Sequence, residues 1–365
     1  MAKTLRVGVI GASAERGWAK VSHVPAIQQL DGLELAAVVT QDQPSADKAA
    51  SAFGAARGYG DAKQLFADPD IDIVTVAVNV PAHRDLVLGA LAAGKHLYCE
   101  YPLGRNRAEA EELAEAAGRA GVHVAIGLQL RSSPAARCAR EMVAAGAVGR
   151  VLSARILSTT MAFGYETERA MAFAEKPENG VTLLSVQGAH TIDLAIAVLG
   201  DFAAISALAS TQYPQIAVEA VKQARTTPDH VLLMARLAGG VPVSIEVAGG
   251  RPADATPFRF EVTGETGVLV LEGGAPRGVQ SGELSLLVDG KPQQVKPGQV
   301  AEPDTAVNVA GIYAALRDDI LNETRTTPDF DHAVRMNQLV DDILAASSTG
   351  ERKPASGWAR QWALE

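Results

Sequence analysis

His190 and Asp193 stand three residues apart in Gly188-Ala-His190-Thr-Ile-Asp193, a spacing that puts both on one face of a helix. A carboxylate beside an imidazole can hold one tautomer and make an acid/base group. The same histidine, flanked by apolar residues, also reads as a satisfied core side chain, and its immediate surroundings favour that plainer reading. Tyr101 stands in Cys99-Glu100-Tyr101-Pro102. A tyrosine whose neighbours lower its pKa can give a proton to a developing alkoxide; the alternative is a packed loop tyrosine before a rigid proline. The third group is a turn. Val7 to Gly17 reads VGVIGASAERG, an apolar strand running into glycine, small residues and then a helix-like stretch. Backbone N–H groups at such a turn, aided by the helix dipole, suit a diphosphate. Gly-x-Gly-x-x-Gly would need glycine at 13 and near 16; Gly11, Ser13 and Gly17 stand here instead, in a turn about one residue longer.

These groups need strands to present them. Leu5–Ile10, Leu33–Thr40, Ile73–Val78, Gly94–Glu100 and Val122–Ile126 read as strands, separated by helical stretches around Trp18–Leu30, Asp47–Phe53, Asp85–Ala93 and Ala108–Ala120. Strands alternating with helices predict βαβ units and a parallel sheet with right-handed crossovers. Ligands of such sheets gather at the carboxyl ends of the strands. Thr40, Val78, Asn79, Glu100 and Tyr101 all lie there. Thr40 occupies the place where a carboxylate would bond a ribose 2′-hydroxyl and repel a 2′-phosphate; a threonine does not repel that phosphate, and no arginine stands beside it to bind one, so use of both NAD and NADP is expected. After Leu128 the pattern changes. Val151–Thr160 alternates, and His230–Ala238 and Val241–Ala248 flank Gly239-Gly240 as a hairpin. Phe258–Thr263 pairs with Gly267–Glu272, and helices are expected at Val181–Leu199, Val307–Asn322 and Ala333–Ser347. The prediction is an α/β chain: a doubly wound Rossmann domain over 1–127, then an α+β domain over 128–365 with a large open, mainly antiparallel sheet.

The chain has 365 residues, a net charge of −9 and no basic cluster, which argues against nucleic acid and anionic membranes as partners. Cys99 and Cys138 have no metal-ligand spacing, which predicts no disulfide framework, no metal and a reducing compartment. Neither a signal peptide nor an apolar run near the ~18 residues of a membrane span is read in the sequence, so cytoplasm is the expected location.

The ordered motifs resemble one family. A strand and glycine turn near the N-terminus, Gly94-Lys95-His96 leading to Glu100-x-Pro102, and Gly188-x-His190-x-x-Asp193 are together similar to the glucose-fructose oxidoreductase / inositol dehydrogenase (Gfo/Idh/MocA) superfamily. The likeness covers nearly the whole chain. Gly11–Ile27, Val80–His83, Leu128–Pro134, Ala189–Asp193 and Thr226–Leu233 resemble its Gal80-like branch. The resemblance implies bound NAD or NADP, with Gly11, Ser13, Ala14, Thr40, Val78, Asn79, His83 and Glu100 on the cofactor side. His83 also reads as a packing residue of the helix after Ile73–Val78. Gln129 and Arg131 fall where family substrates meet the cofactor, and Tyr165, Lys176 and Asp193 are further substrate-side candidates; Lys176 also reads as a solvated loop lysine. Asp229 and His230 begin a strand and are weaker candidates.

Typical members carry lysine in Glu-Lys-Pro and an aspartate four residues before the histidine. Tyr101 and Val186 stand at those positions here. Biliverdin reductase, in the same superfamily, has Glu-Tyr-Pro and transfers hydride. Two functions follow from the resemblance. One is an NAD(P)-dependent oxidoreductase for a sugar, polyol or other small cyclic hydroxy or carbonyl compound, with Tyr101 or His190 exchanging the proton. The other is a catalytically inactive NAD(P)-binding regulator, as in the Gal80 co-repressor branch. Family likeness also implies a homo-oligomer, a dimer or dimer of dimers, formed through the outer face of the second-domain sheet.

Overall fold

The structure is a computed structural model and describes residues 3–252, 258–276 and 278–355. The chain divides into two compact units, Met1–Gln129 with Pro297–Val334, and Leu130–Lys296 with Arg335–Glu365.

The first unit holds a parallel sheet of six strands: β1 (Leu5–Ile10), β2 (Leu33–Val39), β3 (Arg57–Tyr59), β4 (Ile73–Val76), β5 (His96–Glu100) and β6 (Val124–Gly127). Their order is β3-β2-β1-β4-β5-β6. β1 and β4 are apolar almost without a break, as strands covered on both faces require. The helices are α1 (Trp18–Val21), α2 (His23–Gln29), α3 (Gln43–Phe53), α4 (Ala62–Ala67), α5 (His83–Ala92) and α6 (Arg107–Ala120). Side chains stop and start them. Asp42 accepts from the Ser45 N–H to cap α3, Asn106 accepts from Glu109 to cap α6, and Gly54 and Gly121 end those helices in the left-handed region.

The helix expected over Trp18–Leu30 is two helices. Pro25 has no N–H to return to the Val21 carbonyl, and that oxygen accepts from the Thr305 hydroxyl instead. The Ser22 hydroxyl bonds the Trp18 carbonyl at 2.7 Å in the break. β3 and α4 carry too little apolar pattern to be read in advance; Arg57 of β3 is held by Asp68 and Asp70 at 2.5 and 2.6 Å.

The segment after residue 296 corrects the expected domain division. The helix Asp304–Asn322 buries Val309, Ile312, Tyr313 and Leu316 in one apolar cluster with Val24 and Ile27 of α2 and Val7 and Val9 of β1. Burial of that stripe against the parallel sheet returns 297–334 to the first unit, although it lies far beyond 127 in sequence.

The second unit contains α7 (Pro134–Ala144), β7 (Val151–Thr159), β8 (Glu166–Thr167), α8 (Ala189–Leu199), β9 (Phe202–Ser210), β10 (Gln215–Val218), β11 (Val221–Ala224), β12 (His230–Leu237), β13 (Pro242–Ala248), β14 (Phe258–Gly264), β15 (Val268–Gly273), β16 (Leu284–Val288), β17 (Lys291–Pro292) and β18 (Lys353–Pro354). Nine strands form one sheet in the order β17-β16-β15-β14-β7-β13-β12-β9-β18. It is antiparallel except where β13 runs parallel to β7. The expected hairpin closes at Gly240, which has a φ of +88°, and the Leu237 N–H reaches the Val241 carbonyl at 2.9 Å. Along β12, Val231, Leu233, Ala235 and Leu237 are buried while Leu232, Met234 and Arg236 are exposed, so only one sheet face is covered.

The helix expected over Val181–Leu199 begins with a wide π-type turn at Leu184–Gly188 before α8. Pro177–Leu199 is long and apolar enough to cross a membrane, contrary to the expectation of no such run, but 78% of its apolar window is buried inside the protein. That burial is the mark of a core helix.

Candidate functional site

Gly11 closes β1 with a φ of +95°, and a Cβ there would lie 2.3 Å from the Ala77 oxygen and 2.8 Å from Val78 Cγ1. Only glycine fits so close to the chain that leaves β4. The turn is then braced by its own polar groups. The Gly11 N–H bonds the Val39 carbonyl at 2.9 Å, the Ser13 hydroxyl accepts from the Glu15 N–H at 3.2 Å, and Lys20 Nζ donates to the Ala14 carbonyl at 2.7 Å. The helix it feeds, α1, has only four residues and starts after Gly17 rather than directly after Gly11. The indole N–H of Trp18 and the Gln129 Oε1 are buried without a hydrogen-bond partner among the described residues. The cramped glycine, its braced loop and the orphaned Trp18 donor fit a dinucleotide diphosphate.

Thr40 follows β2 and shares a 2.6 Å hydrogen bond with the Ser45 hydroxyl. Asp42 is engaged in capping α3, and the Ser45 N–H holds its carboxyl below the usual aspartate range. Val78 and Asn79 lie between β4 and the turn Val80–Ala82. His83 sits where its packing reading puts it, at the start of α5. Its ring is buried, with Nε2 2.9 Å from the Val78 carbonyl and Nδ1 3.0 Å from the Pro102 carbonyl. Burial outweighs those carbonyls and lowers its pKa. A neutral ring donates to one of these two carbonyls, and His83 packs between the loops after β4 and β5.

Glu100 ends β5 with its carboxylate held from behind. His23 Nε2 lies 2.9 Å from Glu100 Oε1, His23 Nδ1 lies 2.9 Å from the Tyr313 hydroxyl, and that hydroxyl lies 2.7 Å from Thr75 Oγ1. His23, Tyr313 and Thr75 are fully buried. A Cβ on Gly127, the β6 neighbour of Glu100, would come within 2.9 Å of Glu100 Oε1. Tyr101 is buried directly after this carboxylate. Nothing in the local sequence marks His23, Thr75, Gly127 or Tyr313. The first lies 290 positions from Tyr313, and only the packing of the return helix brings them together.

In the second unit, His190 lies in the first turn of α8 and is buried. Asp193, three residues on in the same helix, has Arg131 as a charged partner. Arg131 Nε and Nη2 reach the two Asp193 oxygens, each at 2.8 Å, with the Asp193 side chain wholly buried. Two substrate-side candidates are thus joined to each other as a bidentate pair. The π-type turn supplies a residue not anticipated: Gln187 Nε2 donates to Ser158 Oγ at 2.8 Å, while its Oε1 is buried without a hydrogen-bond partner among the described residues. Turns of this kind recur at functional sites.

Tyr165 is exposed and lines a cavity of about 850 Å³ with Met161, Phe163, Thr167, Met171 and Glu175. Lys176 is exposed and is not among the described lining residues. Behind the cavity Arg225 is fully buried between Glu175 at 2.7 Å and Asp229 at 3.2 Å, and donates to the Phe163 and Gly164 carbonyls. Asp229 therefore secures the cavity wall instead of facing a ligand, and His230 pairs with Glu246 at 3.0 Å.

A parallel sheet in this strand order, with a cramped glycine turn after its first strand and polar residues at the carboxyl ends of its second and fifth, defines a dinucleotide-binding protein. Residues 5–128 match the family described as oxidoreductases with an NAD-binding Rossmann fold, and residues 134–273 match the C-terminal domain of Gal80p. Dehydrogenase aclE of Aspergillus oryzae is 28% identical over 364 residues, covering 96% of this chain and 98% of its own length. Levoglucosan dehydrogenase of Pseudarthrobacter phenanthrenivorans is 27% identical over 249 residues, 64% of each protein. The crystal structure of a super-repressor mutant of Gal80p from Saccharomyces cerevisiae shares the fold, with a TM-score of 0.88 at 23% identity over 98% of this chain and all of that one. The first part of the chain is thus similar to the Gfo/Idh/MocA oxidoreductases with an NAD-binding Rossmann fold, and the part that follows is similar to the Gal80p C-terminal domain.

Proposed function

We propose that this protein is an NAD(P)-dependent oxidoreductase acting on a sugar, polyol or other small cyclic hydroxy or carbonyl compound. The observation that carries the reading is the Glu100 carboxylate, fixed by His23 at the carboxyl end of β5 and followed at once by Tyr101. The substrate class is supported by the relation to levoglucosan dehydrogenase. Nicotinamide, when bound, takes up or gives the hydride. Glu100 bonds and orients the nicotinamide half. Tyr101 or His190 takes the hydroxyl proton as a carbonyl forms and returns it in the reverse direction.

The test is a screen of sugars, polyols and cyclic ketones with NAD(H) and NADP(H), followed at the nicotinamide absorbance band. With an active substrate in hand, Tyr101→Phe or His190→Ala should lower kcat/KM by roughly 10²–10⁴-fold, as loss of acid–base help does. Unchanged turnover in both variants would remove these two residues from the proton transfer.

A second reading is a cofactor-binding regulator without turnover. It is favoured by Tyr101 and Val186, which stand where typical family members carry lysine and aspartate. Tight NADH binding with no turnover of any compound in the screen would select it.

We further propose that the open sheet face is the contact between copies of this chain. Leu208 and Leu232 stand directly opposite each other on β9 and β12, with Met234 two residues along. Met234 is 67% and Leu208 57% exposed. Apolar side chains clustered this way mark an interaction surface.

A further inference from the structure

We propose that His23, fixed by Tyr313 and Thr75, is the positioning residue that sets the Glu100 carboxylate for the nicotinamide half of a bound dinucleotide. The proposal rests on the dinucleotide reading given above and adds to it three residues from α2, β4 and the return helix.

With a neutral imidazole the hydrogen-bond chain runs in one direction. An ionised carboxylate only accepts, so His23 must donate Nε2–H to Glu100 Oε1 across 2.9 Å. Nδ1 then accepts, and Tyr313 donates to it across 2.9 Å. Burial drives the Tyr313 pKa up, so its proton stays in place. The Tyr313 oxygen accepts in turn from Thr75 Oγ1 at 2.7 Å. A single neutral imidazole satisfies every link, and the tautomer follows from the partners. The His23 ring has little room to turn. Tyr98 and Tyr313 meet it edge-on at 5.0 and 5.7 Å, and its side chain is 0% exposed while that of Glu100 keeps 16%. The chain ends at Thr75 inside the sheet, so it leads no proton to solvent; it orients.

Strand order decides which end of the dinucleotide this serves. The diphosphate turn follows β1, Thr40 ends β2 on one side, and Glu100 ends β5 on the other. A dinucleotide laid across the crevice at β1 and β4 therefore has its two halves on opposite sides. With the adenosine half over β2, Glu100 meets the nicotinamide half.

The experiment compares NADH with ADP-ribose, which lacks nicotinamide, by calorimetric titration of the full chain and its variants. The unchanged protein should bind NADH more tightly than ADP-ribose. His23→Ala should weaken NADH at least roughly tenfold, the scale of losing a hydrogen bond to a charged group, and leave ADP-ribose within about twofold. His23→Gln, whose amide can donate to Glu100, should recover most of the loss, and Tyr313→Phe should fall between. Those two variants carry the comparison should His23→Ala fold poorly. Equal weakening of both ligands, or unaltered NADH binding in His23→Ala and Tyr313→Phe, would overturn the proposal. Failure of the unchanged protein to bind either ligand would instead overturn the dinucleotide reading, and this proposal with it.

Discussion

Arg131 and Asp193 show how a residue's type can be legible while its partner is not. The family resemblance makes both of them substrate-side candidates. The fold turns them toward each other in a bidentate pair with a wholly buried carboxylate. Removing one member leaves a buried charge without its counter-ion, so Arg131→Ala should cost about 3–5 kcal/mol. Arg131→Met combined with Asp193→Leu should recover much of that loss, because the expensive element is the uncompensated charge. Urea denaturation of the single and double variants measures both. A loss well under 1 kcal/mol in Arg131→Ala would mean that Asp193 does not depend on this partner. Gly11, Glu100 and Tyr101, by contrast, are legible in the sequence because each stands at a strand end or in the turn that follows it.

At the scale of elements, the return helix Asp304–Asn322 ends in a compact anion trap. Asp319 accepts from the Thr324 hydroxyl at 2.7 Å, from the Thr326 and Thr327 N–H groups at 2.9 Å, and from the Thr327 hydroxyl at 2.5 Å. Burial opposes ionisation, but these donors prevail and lower its pKa to about 2. A depressed carboxyl stabilises the fold above its unfolded pKa, and that contribution is lost as pH falls through the folded value. The unchanged protein should therefore lose roughly 2 kcal/mol of this contribution between about pH 4 and pH 2. Asp319→Asn should be less stable at neutral pH and lack that part of the acid dependence. Denaturation at neutral pH and at about pH 3 tests it; parallel acid profiles for the two proteins would contradict it. The sequence pattern predicted this helix. Its assignment to the first unit depended on which apolar stripe its own stripe would meet, and no local signal carries that.

For the molecule as a whole, the outer face of the nine-stranded sheet is the proposed contact between copies of this chain. Leu232→Lys and Met234→Lys place charge in the middle of the exposed apolar cluster, where desolvating a lysine on contact is unfavourable. Sedimentation should show the unchanged chain associated and the double variant monomeric, with little change in Tm because neither side chain supports the buried face. A double variant that associates like the unchanged chain would move the contact elsewhere. The alternation in Val151–Thr160 and the Gly239-Gly240 turn make a one-faced antiparallel sheet legible in the sequence. The parallel pairing of β7 with β13 is not, since strand direction within a sheet follows from connections that span the whole unit.

By itself the sequence determined what short-range physics controls. Period-two and unbroken apolar runs set the strands, Gly11 set a tight turn after the first of them, and residue order set Glu100 and Tyr101 at the end of another. Only the tertiary structure decided the partners: His23 with Glu100 and Tyr313, Arg131 with Asp193, Arg225 with Glu175 and Asp229. Those choices rest on burial. A charged or polar group removed from water must find a hydrogen-bond partner wherever the chain brings one, and packing between distant segments, not spacing along the chain, determines which partner that is.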